Sequence, residues 1–295
     1  MSPPCLSVVV VSINGVPLLR SCLEALAPQA DASVEVVVVF DRTGRFAGDD
    51  RLRARFPRVR WLAAPPGATV PALRALGIRA SGGQFVALLE DDCVVSDSWC
   101  RTVIEAHSGP EVAIGGPVEP GPYRRSRDWA IYFCEYGRFM APLPADARLS
   151  GTNVSYKRAA IADALGGEGL NDVFLHWAWA REGRPMRADD RLAVRNVNEW
   201  TRSHLTVVPF HHGRAFAARR LAGVGAWRRA LVGAGAVFLP GLQVARMIST
   251  VLRRQRHLVP FVKAIPGIVL FTCSWSAGEL AGGLFGDGGS ASQWR

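Results

Sequence analysis

A chain of 295 residues can bury one large domain, or a domain with an appendage. Its 49% apolar content and 20% charged content are those of a globular protein and exclude a disordered or fibrous chain. The net charge of +10 raises the question of where the excess lies. Six cysteines, at positions 5, 22, 93, 100, 134 and 273, show no CxxC pairing, so buried thiols in a reducing compartment are expected rather than disulfides or zinc. No basic n-region precedes the first apolar run, and no signal peptide is expected.

In chain order, Leu6 to Val11 is apolar apart from Ser7 and runs into Ser12-Ile13-Asn14, as a buried parallel strand would. Leu18, Leu19, Cys22, Leu23 and Leu26 follow at helical spacing, and Val34 to Phe40 is a second apolar strand ending in Asp41. Strand, helix, strand predicts a βαβ unit. Arg74 and Gly77 then precede Phe85-Val-Ala-Leu-Leu89, apolar throughout and ending in Glu90-Asp91-Asp92. Ligands of open α/β sheets bind at the carboxyl ends of the strands. Three acids at that rim repel one another unless a cation neutralises them, and hard oxygen ligands suit Mg²⁺ or Mn²⁺ and hence a diphosphate. A solvated acidic turn is the alternative.

Further along, Trp129-Ala-Ile-Tyr132-Phe133 reads as core packing, with stacking on a sugar as the alternative. Gly151-Thr-Asn153 opens another strand, and Asn171-Asp172 opens a helix with Phe174, Leu175 and Ala178 at helical spacing. Between Glu199 and Glu279 there is no acid, while the same interval holds eleven Arg and Lys residues. Outside it 24 basic residues face 25 acidic ones, so the whole excess belongs to one segment. That segment carries two apolar stretches, Ala230 to Ala245 and Leu258 to Gly278, the first short and the second marginal for crossing a bilayer. A crossing hairpin would put Arg253, Arg254 and Arg256 outside, against the positive-inside tendency. Re-entrant or in-plane helices with arginines on anionic headgroups fit better, and no nucleic-acid platform is present.

The ordered set Val11-Ser12-Ile13-Asn14, Phe40-Asp41-Arg42-Thr43, Arg74/Gly77, Glu90-Asp91-Asp92, Gly151-Thr-Asn153 and Asn171-Asp172 with Arg181 resembles the family-2 glycosyltransferases of the GT-A fold over residues 6 to about 200. The resemblance implies an α/β fold with a Rossmann-like, mostly parallel sheet over residues 1–215, and the charge and hydropathy pattern adds a basic, apolar, membrane-associated helical segment over 216–295. The resemblance implies inverting transfer from a UDP- or GDP-sugar, and the basic, apolar segment suggests a membrane-linked or membrane-delivered acceptor on the cytoplasmic face of a membrane. In that reading Asp92 and Glu90 hold the metal. Ser12, Asn14, Asp41, Arg74, Glu90, Asp91 and Arg214 contact the donor, with Asp41 at the nucleobase. Asp172 is the catalytic base and Glu168 the reserve. The chain departs from the family in having Glu90 for the first Asp of Asp-x-Asp, and Asn171 where the helix usually starts with Glu. It has Arg195-Asn196-Val197-Asn198 where relatives carry a metal-binding His, so Asn196 or one of His204, His211 and His212 remains to complete that site. These departures keep two alternatives open: a domain that binds a nucleotide sugar or tethers to membrane without turnover, and a sugar-nucleotidyltransferase. The single Gly15 after the first strand argues against the latter's phosphate loop.

Overall fold

Leu6–Ser12 is buried at every position and forms β1, an interior strand of a seven-stranded sheet. The computed structural model describes residues 3–42, 49–144, 146–165 and 169–293. Helix α1 (Val16–Leu26) begins with Pro17 in its first turn, where a missing N–H is harmless, and buries Leu19, Cys22, Leu23 and Leu26. β2 (Val34–Asp41) pairs parallel to β1. After α2 (Asp50–Arg55), β3 (Arg60–Ala64) adds a parallel edge strand. Helix α3 (Val70–Ala80), capped by Thr69 Oγ1 on the Ala72 amide, carries the chain to the other side of β1, where β4 (Phe85–Glu90) pairs parallel to it. The strand order therefore reverses between β1 and β4, the place where such sheets bind ligands.

The chain continues through β5 (Cys93–Val95), α4 (Trp99–Ala106), β6 (Ala113–Gly115) and β7 (Val118–Pro120) to α5 (Ser126–Glu135). It then enters β8 (Asn153–Lys157), α6 (Arg158–Ile161), α7 (Asp172–Arg181), β9 (Met186–Ala188) and β10 (Val194–Asn196). The large sheet has the order β3-β2-β1-β4-β8-β6-β9, with β8 antiparallel to β4 and β6, and β5-β10-β7 form a smaller sheet. Val9, Val11, Val37, Val39, Leu73, Ile78, Val86, Leu88, Tyr156 and Trp179 share one buried cluster. At roughly 1.5–3 kcal/mol for each fully buried Val or Leu, this cluster fixes the rim that the strands present. All six cysteines are free thiols, and Cys22, Cys93 and Cys100 are buried.

Two compact units are present, Met1–Gly121 with Phe139–Asn198, and Pro122–Arg138 with Glu199–Arg295. The second contains α5, α8 (Ser203–Arg220), α9 (Ala226–Gly235), α10 (Leu239–Arg254) and α11 (Leu258–Phe285). α5 packs on the first half of α11 through Phe133–Phe261, with ring centroids 4.9 Å apart. α8 lies along the second half so closely that a side chain at Gly278 would strike the Phe210 carbonyl, and one at Gly282 that of Arg214. Glu279 is buried in this interface and bonded by Arg220 Nη2 at 2.6 Å and Trp275 Nε1 at 2.8 Å. The tip of the α10–α11 hairpin is tied back within the unit, because Arg254 donates to the carbonyls of Gly137 and Arg138 at 3.1 and 3.0 Å.

Both apolar stretches are longer as helices than their sequence spans suggest. Trp227–Arg254 and Leu258–Phe285, at 28 residues each, are long and apolar enough to cross a membrane. Only 11% and 28% of their apolar windows are buried, unlike the core helix of a soluble domain. Among the described residues, every exposed large hydrophobic side chain lies between Val207 and Phe285.

Candidate active site

The carboxyl ends of β1 and β4 gather the acids predicted from the sequence. Asp91 is fully buried, and its Oδ2 accepts the amides of Ile13 and Asn14, each at 3.0 Å. Its Oδ1 accepts Asn14 Nδ2 at 2.8 Å. Asp91 thus uses both oxygens to clamp the end of β1 against that of β4. Burial pushes its carboxyl up to about 6, against the hydrogen bonds from Asn14 that favour the charged form. Ser12, the last residue of β1, is buried beside this clamp.

Asp92 turns the other way. Its Oδ2 accepts Asn198 Nδ2 at 2.9 Å, and the Asn196 side chain bonds to it as well. Asn198 Nδ2 also reaches Asn14 Oδ1 at 3.3 Å, which links the segment after β10 to the β1 end. Burial and the charge of Asp91 raise Asp92 to about 6 despite the two carboxamides. Glu90 is raised to about 7, first by burial and then by Asp92, with Arg74 and Thr152 acting in the opposite direction. The rim therefore holds more buried negative charge than its own side chains compensate.

Arg74, on α3 and buried, joins this rim to α7. Its Nη1 donates to Asp172 Oδ1 at 2.5 Å, and its Nη2 to Glu90 Oε1 at 3.2 Å and the Gly151 carbonyl at 3.1 Å. Burial opposes the guanidinium charge, but Asp172 and Glu90 outweigh it and hold its pKa above the ordinary value. Glu90 Oε2 accepts Thr152 Oγ1 at 3.0 Å, so both of its oxygens are engaged. Asp172 opens α7, where Asn171 Oδ1 caps the Phe174 amide at 3.3 Å. Asp172 packs so tightly against Gly151 that a Cβ there would overlap its carboxylate. Only glycine leaves room for the acid at this place.

The remaining predicted residues divide between the two units. Asp41 ends β2, is buried and accepts the Gly67 amide at 2.9 Å. Thr43, next but one in the chain, and the reserve base Glu168 lie outside the described residues. Arg214 belongs to the second unit, where its Nε donates to the Gly286 carbonyl at 2.9 Å. His204 and His211 are there too, bonded through Nδ1 to Thr201 Oγ1 and Ser290 Oγ at 2.9 and 3.0 Å. Asn153 serves the fold, since its Nδ2 bridges the carbonyls of Pro117 and Leu192. Sequence reasoning passed over two participants. Thr152 carries no signal beyond its place between Gly151 and Asn153, and Gly67 bonds through its backbone alone.

No three His, Cys, Asp or Glu side chains among the described residues form a ready-made metal cage. The rim nevertheless fits a hard dication by its chemistry. Its carboxylate and carboxamide oxygens suit such an ion, beside the Cys93 thiol that donates to Asp92 Oδ1 at 3.4 Å, and burial raises both Glu90 and Asp92, with Asp92 adding to the first and Asp91 to the second. The oxygens of Glu90 already serve Arg74 and Thr152, so a metal falls first to Asp92 with Asn196 or Asn198 beside it.

Solved structures share this architecture. A mannosyltransferase from Pyrobaculum calidifontis, in complex with GDP-Man and Mn²⁺, superposes with a TM-score of 0.56 at 14% identity, covering 94% of this chain and 88% of its own. TarS 1–349 from S. aureus, in complex with UDP-GlcNAc, gives 0.52 at 15% identity over 92% of this chain and 91% of its own. Glucosyl-3-phosphoglycerate synthase from Mycobacterium tuberculosis, with Mn²⁺, UDP and phosphoglyceric acid, gives 0.52 at 16% identity over 74% of this chain and 78% of its own. At these identities the likeness establishes the fold, which is GT-A. No curated protein matches the chain in sequence. The model of the family described as glycosyl transferase family 2 matches residues 7–164, more than half of the chain. The protein is a glycosyltransferase and belongs to that family.

Proposed function

We propose that this glycosyltransferase moves a sugar, with inversion, from a UDP- or GDP-sugar to a membrane-linked or membrane-delivered acceptor, assisted by Mg²⁺ or Mn²⁺. The observation that carries the reading is the convergence of under-compensated buried carboxylates at the β1/β4 switch with Asp172 at the start of α7. A bound Mg²⁺ or Mn²⁺ held by Asp92, with Glu90 behind it, would supply the positive charge that a departing diphosphate needs. Asp91, Asn14 and Ser12 keep that rim in register, and Asp41 receives the nucleobase edge at the end of β2.

In a single displacement the acceptor oxygen attacks the anomeric carbon as the bond from that carbon to the diphosphate breaks. The acceptor proton goes to Asp172, whose Oδ2 is left for it while Oδ1 stays on Arg74. Arg74 and Gly151 orient that carboxylate, as a base must be oriented to within a fraction of an ångström. Glu168 is the alternative base.

Membrane association is supported by the exposed apolar side chains between Val207 and Phe285 and by eleven basic residues without an acid between Glu199 and Glu279. The tie from Arg254 to the end of α5 favours a hairpin lying in the cytoplasmic leaflet or re-entering it over one that crosses. Hydrolysis and transfer assays over a panel of UDP- and GDP-sugars, with Mg²⁺, Mn²⁺ or chelator, test the catalytic reading. Turnover should need the metal, and Asp92→Ala should abolish its stimulation while leaving the fold intact. Undiminished turnover in chelator would remove the metal from the proposal.

A further inference from the structure

A cavity of about 480 Å³ lies in the second unit, lined by Arg125, Arg127, Arg202, Leu205, Thr206 and Leu270. Its position follows from two helix starts. Arg125 is the N-cap residue of α5 and Arg202 that of α8, and neither makes a side-chain capping bond. The first turns of both helices line the cavity, so two positive helix ends add to three guanidiniums.

The opposing charge is small. Asp128, buried in the first turn of α5, accepts Arg125 Nε at 2.8 Å and lies 3.6 Å from Arg127 Nε. Glu199 attracts Arg125 at longer range. Arg127 Nε is buried without a hydrogen-bond partner, and Arg202 makes no ion pair among the described residues. A guanidinium carries five N–H donors in a fixed fork that matches phosphate oxygens, and the bond to Asp128 uses one of those on Arg125. The wall of the cavity is mainly apolar, and the positive charge beside it comes chiefly from Arg202 and from Arg125, whose bond to Asp128 uses one of five N–H donors.

The rest of the wall is apolar. Leu270 is 47% exposed and shares a helical face of α11 with Val259, Val262 and Val269, exposed by 64%, 63% and 44%. Leu205 and Thr206 on α8 are followed by Val207, exposed by 54%. With Leu270 in its wall, the cavity joins arginines to an exposed aliphatic helix face, a pairing that matches an amphiphile with an anionic head and a hydrocarbon tail.

We propose that this cavity binds an anionic lipid, with its phosphate on Arg125, Arg127 and Arg202 and its first chain carbons on Leu205 and Leu270. The inference rests on the membrane-facing reading above and narrows it to one site. Flotation of the full-length protein with phosphatidylcholine vesicles, with and without phosphatidic acid, tests it. Phosphatidic acid should raise wild-type binding by at least about tenfold, since three arginines at up to about fivefold each set a ceiling near a hundredfold and the pairing with Asp128 lowers it. The triple variant Arg125→Gln/Arg127→Gln/Arg202→Gln should lose most of that gain. A charge-matched control in the exposed residues Arg228, Arg246 and Arg253, each changed to Gln, should keep most of it. Arg202→Gln alone breaks no ion pair and should lose about threefold, which covers the case in which the triple variant misfolds.

Four results would overturn the proposal, and they separate it from the reading beneath it. Equal losses in the two triple variants would mean diffuse surface attraction. Displacement of the protein by inorganic phosphate would make the cavity a site for free phosphate. Binding to phosphatidylcholine with no gain from phosphatidic acid would leave the membrane reading standing without this site. Absence of flotation with either vesicle would remove both.

Discussion

The two units dispose of polar and apolar side chains in opposite ways. The first buries its aliphatic residues under the sheet and draws Asp41, Arg74, Asp91, Asp92 and Asp172 inside as well, each less than a tenth exposed. The second leaves Trp227, Val237, Phe238 and Phe285 more than 60% exposed, yet buries Glu279 with its own arginine. Burying a charge is unfavourable unless it is paired, and exposing a large apolar side chain forgoes roughly 25 cal/mol for each Å² left in water. A fold tolerates the first where chemistry needs a fixed, dry carboxylate, and the second where the surface meets something other than water. In the function proposed above, the first unit would perform the transfer and the second would set where it happens.

If the comparison holds, the largest effect on turnover comes from Asp172. Asp172→Asn keeps the shape of the side chain beside Arg74 but removes its basicity, and kcat should fall by about 10²–10⁴-fold with donor KM little changed. A collapse of donor affinity with kcat preserved would make Asp172 a binding or capping residue and pass the role to Glu168. Gly151→Ala should lower kcat by about 10²-fold, because the added methyl displaces the Asp172 carboxylate from its place. Unfolding by denaturant should change much less than kcat does. An active Gly151→Ala enzyme would show that the contact with Gly151 does not orient Asp172.

In the second unit the corresponding test concerns stability rather than rate. Arg220→Ala leaves Glu279 buried with only Trp275 Nε1 to hold it, and should lower unfolding free energy by about 2 kcal/mol. The value sits below that of a fully buried pair because a third of the Arg220 side chain is exposed. The double variant Arg220→Ala/Glu279→Gln should recover part of the loss, since it leaves no bare carboxylate. No recovery would mean that Arg220 acts by packing on Phe216, whose ring lies 5.3 Å from its guanidinium carbon.

Much of the first unit is legible in the sequence, for a physical reason. β1, β2 and β4 are central strands covered on both faces, so they read as apolar runs with polar ends, and those ends are the rim. β3 is an edge strand with Arg60 exposed and Trp61 half-buried, and its pattern carries no such signal. β5, β7 and β10 are three residues long, too short for periodicity to show. The placement of α5 with the C-terminal helices is hidden as well, since it arises from packing on α11 more than a hundred residues later. At the site the sequence marks the acids but not their division of labour. Asp91 and Asp92 are adjacent, and only the fold shows that the first is spent on the backbone of Ile13 and Asn14 while the second faces two carboxamides.

The smallest expected effect concerns acid stability and a histidine given no role in catalysis. His107 is 3% exposed, stacks on Phe85 with centroids 4.6 Å apart, and bonds through Nε2 to Ser155 Oγ at 2.9 Å. The Ser155 hydroxyl donates onward to the Ile114 carbonyl at 3.1 Å, so Nε2 must carry the hydrogen in its bond to Ser155. Nδ1 is buried with no partner, and a proton placed there would find no acceptor. Burial, reinforced by Lys157 and Arg187 and opposed by Glu111, lowers this imidazole from 6.5 to about 4. The unfolded chain then binds more protons than the folded one between those two values. The stabilisation is therefore complete above about pH 6.5 and is lost as the pH falls toward about 4, reaching roughly 2 kcal/mol near pH 5. His107→Gln can keep the donor to Ser155 but cannot titrate. Denaturant unfolding at pH 7.5 and pH 5 should show the wild type losing about 2 kcal/mol more than this variant over the interval. Equal losses would mean that His107 takes up its proton in the folded state, and that the sheet admits water beside Phe85.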